Sequence, residues 1–511
     1  MAEESLQNNF FDTEYLKADL KGRSVRGGAV TMAAQGLKFF FQLGSTMVLA
    51  RLLTPQDFGL IAMVTAVTGF VMMFKDMGLS MATVQRAEIN HNQISTLFWI
   101  NVGLSLAIML LTAALAPAIA WFYGEPRLTW ITLALAGAFI FGGLTIQHQA
   151  LLRRQMRFRI LAVVEIGSMS AGILAAIIAA SFGAGYWSLV IMQLAGAIAI
   201  AIGVWVACGW RPGLPVRCSG VREMLAFGGN LTGFNILNYF ARNIDKVLIG
   251  KVLGSTTLGI YNKANHLLVL PLNQVTGSIS PIAIPVLSRL QKDPERYKRY
   301  YLKAIQFVSF IAMPSVMFLI VMSKEAIQIV LGAQWTAASP VFAVLGIFGL
   351  FLPVWSTIGW LYVSTGQTNR MLRWGIFDSV LVVLSVIVGI QYGVMGVAYA
   401  FVAVRLCSMI PAFWYATKGV PVKVSEILHS FRNNLIAAIG MGLTIYSFNT
   451  YLVPNMRIAL RLTLALLIGT VTYLIVCCLI ELSLGPLWEL PKLAKEMWGG
   501  AKSKNKSSSG V

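Results

Sequence analysis

The stretch WSLVIMQLAGAIAIAIGVWVAC, Trp187 to Cys208, runs for 22 residues without a charged side chain. A membrane-spanning α-helix needs about 20 predominantly apolar residues. The same criterion finds about fourteen such segments along the 511 residues. The short alternating segments of a transmembrane β-barrel are absent from the sequence. The sequence therefore predicts an all-α integral membrane protein with about fourteen transmembrane helices.

The composition supports this fold class. The chain is 57% hydrophobic and 12% charged, whereas soluble domains contain about 25% charged residues. These values exclude a soluble enzyme, a disordered protein and a disulfide-rich secreted module. The formal net charge of +20 is also found in nucleic-acid-binding proteins. Here the basic residues lie in short loops between apolar segments, as membrane topology requires, so we expect no nucleic-acid partner.

The loops differ in their content of lysine and arginine. If the N-terminus is cytoplasmic, 28 basic residues lie in loops on the cytoplasmic side, 6 lie in loops on the opposite side and 6 lie within apolar segments. Loops on the cytoplasmic side of a membrane carry the excess of these residues. The distribution predicts that both termini are cytoplasmic and that the number of transmembrane helices is even.

One motif recurs 200 residues later in the chain. The segments Leu49–Leu53 (LARLL) and Phe58–Leu60 (FGL) are echoed by Ile249–Leu253 (IGKVL) and Leu258–Ile260 (LGI). Each copy ends one apolar segment and leads through a short polar loop into the next. The copies lie six helices apart, so we interpret them as parallel repeats related by an axis along the membrane normal. This organisation is typical of transporters that bind substrate between two halves.

Four stretches together resemble the polysaccharide-exporter family of the MOP flippase superfamily, in particular Wzx-type exporters of the colanic-acid branch. They are LARLLTPQDFGLIA (49–62), QRAEINHNQISTLFWINVG (85–103), NIDKVLIGKVLGSTTLGIYNKA (243–264) and GAQWTAASPVFAVL (332–345). The resemblance covers residues 23–432. It implies two six-helix lobes, two extra helices and alternating access. It also implies a substrate, an oligosaccharide repeat unit on undecaprenyl pyrophosphate, moved from the cytoplasmic to the periplasmic leaflet for exopolysaccharide or surface polysaccharide synthesis.

The resemblance and the apolar segments together give the expected organisation in the bacterial inner membrane. Membrane lipid and the polymerase or export machinery of the polysaccharide pathway are the expected partners. The predicted parts are a cytoplasmic arm (1–27), a first lobe with helices 1–6 (28–208), a cytoplasmic linker (209–226), a second lobe with helices 7–12 (227–415), a cytoplasmic loop (416–434), helices 13 and 14 (435–482) and a cytoplasmic tail (483–511).

Basic residues within the apolar segments are the candidate substrate-binding groups. A charge at the bilayer centre costs about 2.5–3.5 kcal/mol on insertion scales, so such residues normally face a cavity or a partner. Arginine offers a bidentate fork to phosphate oxygens, and lysine offers a compact charge. We expect a cationic cavity that binds pyrophosphate through Lys38, Arg242, Lys246, Lys263 and Arg405. The sixth residue, Lys75, lies near a segment end and is expected to reach the membrane interface.

Three acidic residues are candidate charge partners of these cations or coupling sites for H⁺ or Na⁺. Asp245 follows Arg242 by three residues, a spacing that permits an ion pair on one helical face. Asp378 can pair with Arg405 on the next helix. Glu165 is expected to pair with the arginine-rich loop 153–159. The sequence leaves open whether an ion gradient or the membrane potential drives transport.

No motif in the sequence predicts an enzyme, a metal site or a cofactor. There is no GxxxxGK[ST], no HExxH and no Cys/His cluster with metal-ligand spacing. Gln147, His148 and Gln149 end the fourth apolar segment and are expected at the membrane interface. The alternative functions are a MATE-type drug or cation antiporter, a peptidoglycan-precursor flippase and a membrane polymerase. A polymerase would need larger external loops than this sequence contains.

Overall fold

The computed structural model describes residues 20–72, 79–86, 89–216, 222–452 and 456–481. Within these ranges the side chains of 20–27, 29, 79, 82, 85, 222–242, 278, 452 and 481 are not described. In the described ranges every regular element is helical, which confirms the all-α class. The predicted arm 1–27 lies largely outside these ranges, and the predicted tail 483–511 lies wholly outside them.

Helices α1–α8 cover the first part of the chain, and apolar stretches set most of their bounds. Trp187–Cys208 begins and ends where the prediction placed it. α4 begins within a polar stretch, at His91, because Asn90 and Gln93 form a capping box with hydrogen bonds of 2.9 and 3.2 Å. The helices are α1 Leu20–Leu52, α2 Pro55–Met72, α3 Leu79–Gln85, α4 His91–Tyr123, α5 Arg127–Ala136, α6 Ala138–Arg154, α7 Phe158–Ser181 and α8 Trp187–Cys208.

Helix α9 contains the break that separates two predicted spans. Gly254 has φ 81° and ψ 176°, a conformation that glycine adopts without steric penalty. The helices after it are α9 Arg222–Arg289, α10 Pro294–Val321, α11 Ser323–Val330, α12 Ala338–Gly349, α13 Leu352–Ser356, α14 Ile358–Ser364, α15 Thr368–Gly389, α16 Gly393–Thr417, α17 Val424–Ser447 and α18 Ile458–Glu481. A short π-helix, Phe448–Leu452, continues α17.

The described residues contain eight helical stretches long and apolar enough to cross a membrane, or ten if each of two bent pairs is one span. One bent pair, Ala338–Gly349 with Leu352–Ser364, turns by 50°. The finding confirms a multi-pass membrane protein. The number fourteen stays a prediction.

The chain divides into two compact units. Unit 1 comprises Met1–Asn262 and Val330–Gln334, and unit 2 comprises Lys263–Ile329 and Trp335–Val511. The boundary between Asn262 and Lys263 lies inside α9. This division does not test the predicted lobes, 28–208 and 227–415, which stay predictions.

In unit 1, α7 packs against both α1 and α8, while α6 packs against α4 and α8. Small residues permit close helix contacts, as is usual in membrane bundles. A Cβ atom at Gly172 of α7 would lie 2.7 Å from the backbone oxygen of Met192 on α8. A Cβ atom at Gly143 of α6 would lie 3.0 Å from the backbone oxygen of Asn101 on α4.

The two copies of the repeated motif meet inside unit 1. A Cβ atom at Gly59 would overlap the carbonyl group of Ser255, and a Cβ atom at Gly259 would overlap the carbonyl group of Pro55. Gly259 lies 200 residues after Gly59, and Ser255 lies 200 residues after Pro55. Each pair therefore joins the glycine of one copy to the same position of the other copy. The contact is therefore reciprocal, as it is at a two-fold axis.

In unit 2, α17 packs along α10, α18 packs on α17, and α15 pairs with α16. Buried Asn434 of α17 donates hydrogen bonds to the carbonyl oxygen of Gln306 (2.9 Å) and to Ser309 Oγ (2.8 Å) on α10. The Tyr473 hydroxyl of α18 donates to the carbonyl oxygen of Phe310 (3.0 Å). Polar contacts therefore anchor both final helices to α10.

Candidate functional site

Lys38 pairs with Glu165. Lys38 lies near the middle of α1, and its Nζ donates a hydrogen bond to Glu165 Oε2 on α7. The two side chains are 24% and 30% exposed, so both can be reached by a ligand. Glu165 was predicted to pair with the arginine loop 153–159, and that prediction is wrong because α7 packs against α1 along this face. The pair therefore places a cation, and the carboxylate with which an anionic ligand would compete for it, at one accessible position.

Arg405 pairs with Asp378, as predicted. Arg405 Nη1 on α16 lies 2.5 Å from Asp378 Oδ2 on α15, and both side chains are mostly buried. The guanidinium carbon lies 5.3–5.9 Å from the ring centroids of Phe348, Trp355 and Phe401, within cation–π range. Asp378 Oδ1 and Arg405 Nε are buried without a hydrogen-bond partner among the described residues. The pair is therefore joined by a single contact rather than by a bidentate fork.

Asp245 is buried in unit 1. It is 8% exposed and accepts hydrogen bonds from the Tyr261 hydroxyl (3.2 Å) and from the backbone nitrogen of Lys246 (2.8 Å). The ammonium group of Lys246 donates to Asn243 Oδ1 (3.0 Å). The side chain of Arg242 lies outside the described residues, so its predicted ion pair with Asp245 stays a prediction.

The two remaining predicted cations fall at different places. Lys263 is the first residue of unit 2 in α9 and is half-buried. Lys75 lies outside the described residues. The structure therefore places Lys38, Asp245, Lys246 and Glu165 in unit 1, and Lys263, Arg405 and Asp378 in unit 2. Their joint role in one cavity stays a prediction.

A buried aromatic cluster in unit 1 was missed from the sequence. His148 is fully buried and stacks on Trp205, with ring centroids 4.6 Å apart. Its centroid lies 5.9 Å from that of Phe98 and 5.1 Å from that of Trp210. Residues far apart in the sequence bury Gln147 and His148, and their predicted position at the membrane interface stays a prediction. In the sequence, the clustering of tryptophans around the end of α8 was the only indication of this aromatic cluster.

The start of the predicted cytoplasmic linker is fixed to α4. Trp210 is fully buried, and its Nε1 donates to His91 Nδ1 (3.3 Å). Trp99 Nε1 donates to the carbonyl oxygen of Gly213 (2.8 Å), whose backbone nitrogen donates to Ser95 Oγ (2.9 Å). Residues 209–216 therefore form a docked strap on the N-terminal part of α4.

The described residues offer cation–anion pairs rather than a metal centre. Within the described ranges, no three His, Cys, Asp or Glu side chains come together with the geometry of a metal site. Ionised side chains on apolar helices can instead attract an anionic head group, and their carboxylates can exchange a proton or compete with that head group.

Sequence comparisons give related proteins of polysaccharide synthesis. A family model described as "Polysaccharide biosynthesis protein" matches residues 48–340. The chain is 25% identical over 408 residues to lipopolysaccharide biosynthesis protein WzxC of Escherichia coli (strain K12), covering 78% of this chain and 82% of WzxC. It is 25% identical over 456 residues to succinoglycan biosynthesis transport protein ExoT of Rhizobium meliloti (strain 1021), covering 88% and 90%.

Two solved structures share the fold. The lipid II flippase MurJ in an inward closed conformation matches with a TM-score of 0.71 at 16% identity, covering 89% of this chain and 98% of MurJ. An inward-facing multidrug MATE transporter of the MOP superfamily matches with a TM-score of 0.61 at 15% identity, covering 75% and 94%. Both likenesses concern the fold alone, which is a MOP transporter fold.

Proposed function

Because the chain belongs to the polysaccharide biosynthesis family whose model it matches, we propose that it is a lipid-linked oligosaccharide flippase. Its substrate is an oligosaccharide repeat unit on undecaprenyl pyrophosphate. The protein carries the head group from the cytoplasmic to the periplasmic leaflet of the bacterial inner membrane. The relative ExoT is named as a transport protein, and this chain is a transporter.

The substrate dictates what the protein must supply. Its pyrophosphate carries about two negative charges, its sugars are hydrated, and its polyprenyl tail belongs in lipid. Transfer of the bare head group through hydrocarbon would expose charge at a large energetic cost. Ionised side chains on otherwise apolar helices reduce that cost, provided that a ligand can reach them.

The accessible Lys38–Glu165 pair is the observation that carries the proposal. A pyrophosphate that enters beside α1 would compete with Glu165 for the Lys38 ammonium group. Protonation of Glu165 would release Lys38 in the same way, so this pair could couple substrate binding to a proton. Arg405 is less exposed and has aromatic neighbours, so we assign it a smaller part in binding.

Arg242 and Lys38 are proposed to bind the pyrophosphate jointly. One cation leaves a dianion underneutralised, and two cations from the two repeat copies would hold the ligand at both ends. Substrate would then favour a closed intermediate, because only differential contacts shift a conformational equilibrium.

Transport by the purified protein in vesicles tests the function. We expect flipping of a fluorescent undecaprenyl-pyrophosphate oligosaccharide by the natural protein, a large loss with Lys38→Ala, and no loss with Lys324→Ala, whose lysine is exposed. Equal or faster movement of the peptidoglycan precursor would assign the protein to that substrate instead. Movement of an organic cation, with none of either lipid, would favour the antiporter alternative.

Topology is a separate part of the proposal. Both termini and the loop 153–159 are placed in the cytoplasm by the distribution of lysine and arginine. Single cysteines in that loop should react with a membrane-impermeant maleimide only after the cells are opened. A polymerase or export complex of the same pathway is the proposed protein partner.

A further inference from the structure

Gly59 and Gly259 bring backbone against backbone at the reciprocal contact. Gly59 lies one turn into α2, and its hydrogen faces the Ser255 carbonyl group; Gly259 faces the Pro55 carbonyl group in the same manner. A Cβ atom at Gly259 would also lie 3.1 Å from the backbone nitrogen of Gly59. No flexible side chain separates the two segments, so any larger residue would force them apart.

Polar contacts surround this glycine crossing. Gln334 Nε2 donates to the carbonyl oxygens of Ala50 and Leu53 at the end of α1. Lys251 Nζ donates to the carbonyl oxygen of Phe122 at the end of α4 and lies 5.1 Å from the centroid of the Phe122 ring. The last carbonyl groups of a helix lack intrahelical partners and attract cations and donors. These contacts can break and be replaced by water.

A small apolar layer lies beneath the crossing. A Cβ atom at Gly250 would lie 3.0 Å from the Tyr123 ring and 3.2 Å from Met63 Cγ. Met63 is 2% exposed and Leu258 is fully buried. Separation of the two repeat copies would bring water to this layer. Its residues therefore report whether the crossing is closed.

We propose that Gly59 and Gly259 are positioning residues of a gate, which closes the transport path on the outer side of the membrane when the two carbonyl groups meet the two glycines. The gate rests on the proposed transport function, and the topology of the repeat puts the crossing on the outer side. Release of substrate outward requires the crossing to separate. The two glycines set how closely the gate can shut.

A methyl group at either glycine raises the free energy of the closed state only. The open state gains no clash, so the population moves toward it. A cysteine in the apolar layer, which becomes exposed only when the gate opens, measures that shift without any substrate. The measurement therefore stays informative even if the substrate is not the one proposed.

The reporter is Met63→Cys in the full chain, labelled from outside intact cells with a membrane-impermeant maleimide; the chain without this change gives the background. We expect Gly59→Ala and Gly259→Ala each to raise the labelling rate about tenfold, equal to about 1.4 kcal/mol. Gly103→Ala is the matched control, because a Cβ atom there meets nothing within 4 Å. Gln334→Ala should also raise the rate while adding no volume.

Equal labelling of all variants at equal abundance would overturn the gate. A rise in only one of the two glycine variants would overturn its reciprocal arrangement, and a similar rise in Gly103→Ala would show general loosening instead. If the glycine variants fail to accumulate, Gln334→Ala decides. An unchanged rate rejects the gate, and a rise not shared by Asn92→Ala, at an exposed position away from the crossing, supports it.

Discussion

Lys38 of α1 and Glu165 of α7 form an ion pair across 127 residues of sequence. The pair joins a cation that the substrate needs to an anion that the substrate must displace. In a transporter such a pair can keep both side chains ordered while the site is empty, and the ion pair can break when the ligand binds. Its behaviour on substitution therefore separates a binding role from a purely structural one.

Removal of the competing anion is the first prediction. Glu165→Gln should strengthen binding of the pyrophosphate head group, because Lys38 loses its ionic partner and stays charged. Binding of a pyrophosphate lipid analogue by the purified variant checks this effect. Weaker binding, with a lower melting temperature, would show that the pair serves stability.

The joint role of two cations is the second prediction. Lys38→Ala and Arg242→Ala should each lower affinity about 10- to 100-fold, since a charge-assisted hydrogen bond contributes about 1.5–3 kcal/mol. Arg242→Lys should retain part of the affinity because charge survives while the fork is lost. The double variant should lose more than either single variant. Near-normal flipping by Arg242→Ala at equal membrane abundance would contradict the site.

The Arg405–Asp378 pair gives the third prediction. Arg405→Ala leaves a mostly buried carboxylate without its partner, so the free energy of unfolding should fall by about 3–5 kcal/mol. The double replacement Arg405→Met with Asp378→Leu should be much less harmful, because no charge is left unpaired. Unfolding in detergent, measured for Arg405→Met, for Asp378→Leu and for the double variant, gives the coupling energy. A coupling near zero would show that the observed contact contributes no stability.

Asn434 gives the fourth prediction. Asn434→Ala removes two hydrogen bonds to α10, so we expect a loss of about 1–3 kcal/mol in the free energy of unfolding. Asn92→Ala, at an exposed position, is the matched control. Thermal unfolding of the purified proteins compares them. An equal melting temperature in both variants would mean that α17 is held by apolar packing alone.

The fifth prediction concerns acid stability. The hydrogen bond from Lys298 holds the pKa of Glu426 below its ordinary value, with a smaller contribution from the backbone nitrogen of Lys423. A lowered pKa means that the ionised form stabilises the fold above the unfolded pKa, about 4.3. That contribution is lost as the pH falls through the lower folded pKa.

Glu426→Gln should therefore lower the melting temperature at pH 7 and leave it nearly unchanged at the acid end, below the folded pKa. The difference between the variant and the natural protein, followed from pH 7 downward, is the measurement. A difference that does not shrink on acidification would rule out this linkage.

Hydropathy predicted the helices because burial in lipid depends on composition alone. It predicted both ends of the helix Trp187–Cys208 correctly, and it separated the spans on either side of Gly254. It missed the early start of α17 at Val424, since Glu426 and its neighbours are polar and form a helical start outside the apolar stretch. Helix ends built by capping depend on local hydrogen bonds of polar side chains, which hydropathy does not measure.

Pairing between helices was predicted only where the helices are neighbours in sequence. Asp378 and Arg405 lie on consecutive helices, so their contact followed from the chain order. Glu165 and His148 did not follow, because their partners come from α1, α4 and α8. The packing of helices that are distant in the sequence decides such contacts. No pattern in a single sequence shows which of these helices will meet.

The docked strap 209–216 limits how far the start of α9 can move. Trp210 and Gly213 are tied to α4, so the connection to α9 begins at Val216 rather than at the end of α8. From Val216 to Arg222 the chain takes six steps, which extend to about 20 Å at most. The start of α9 can therefore move only within that radius, and a larger movement requires Val216 and Gly213 to leave α4 first.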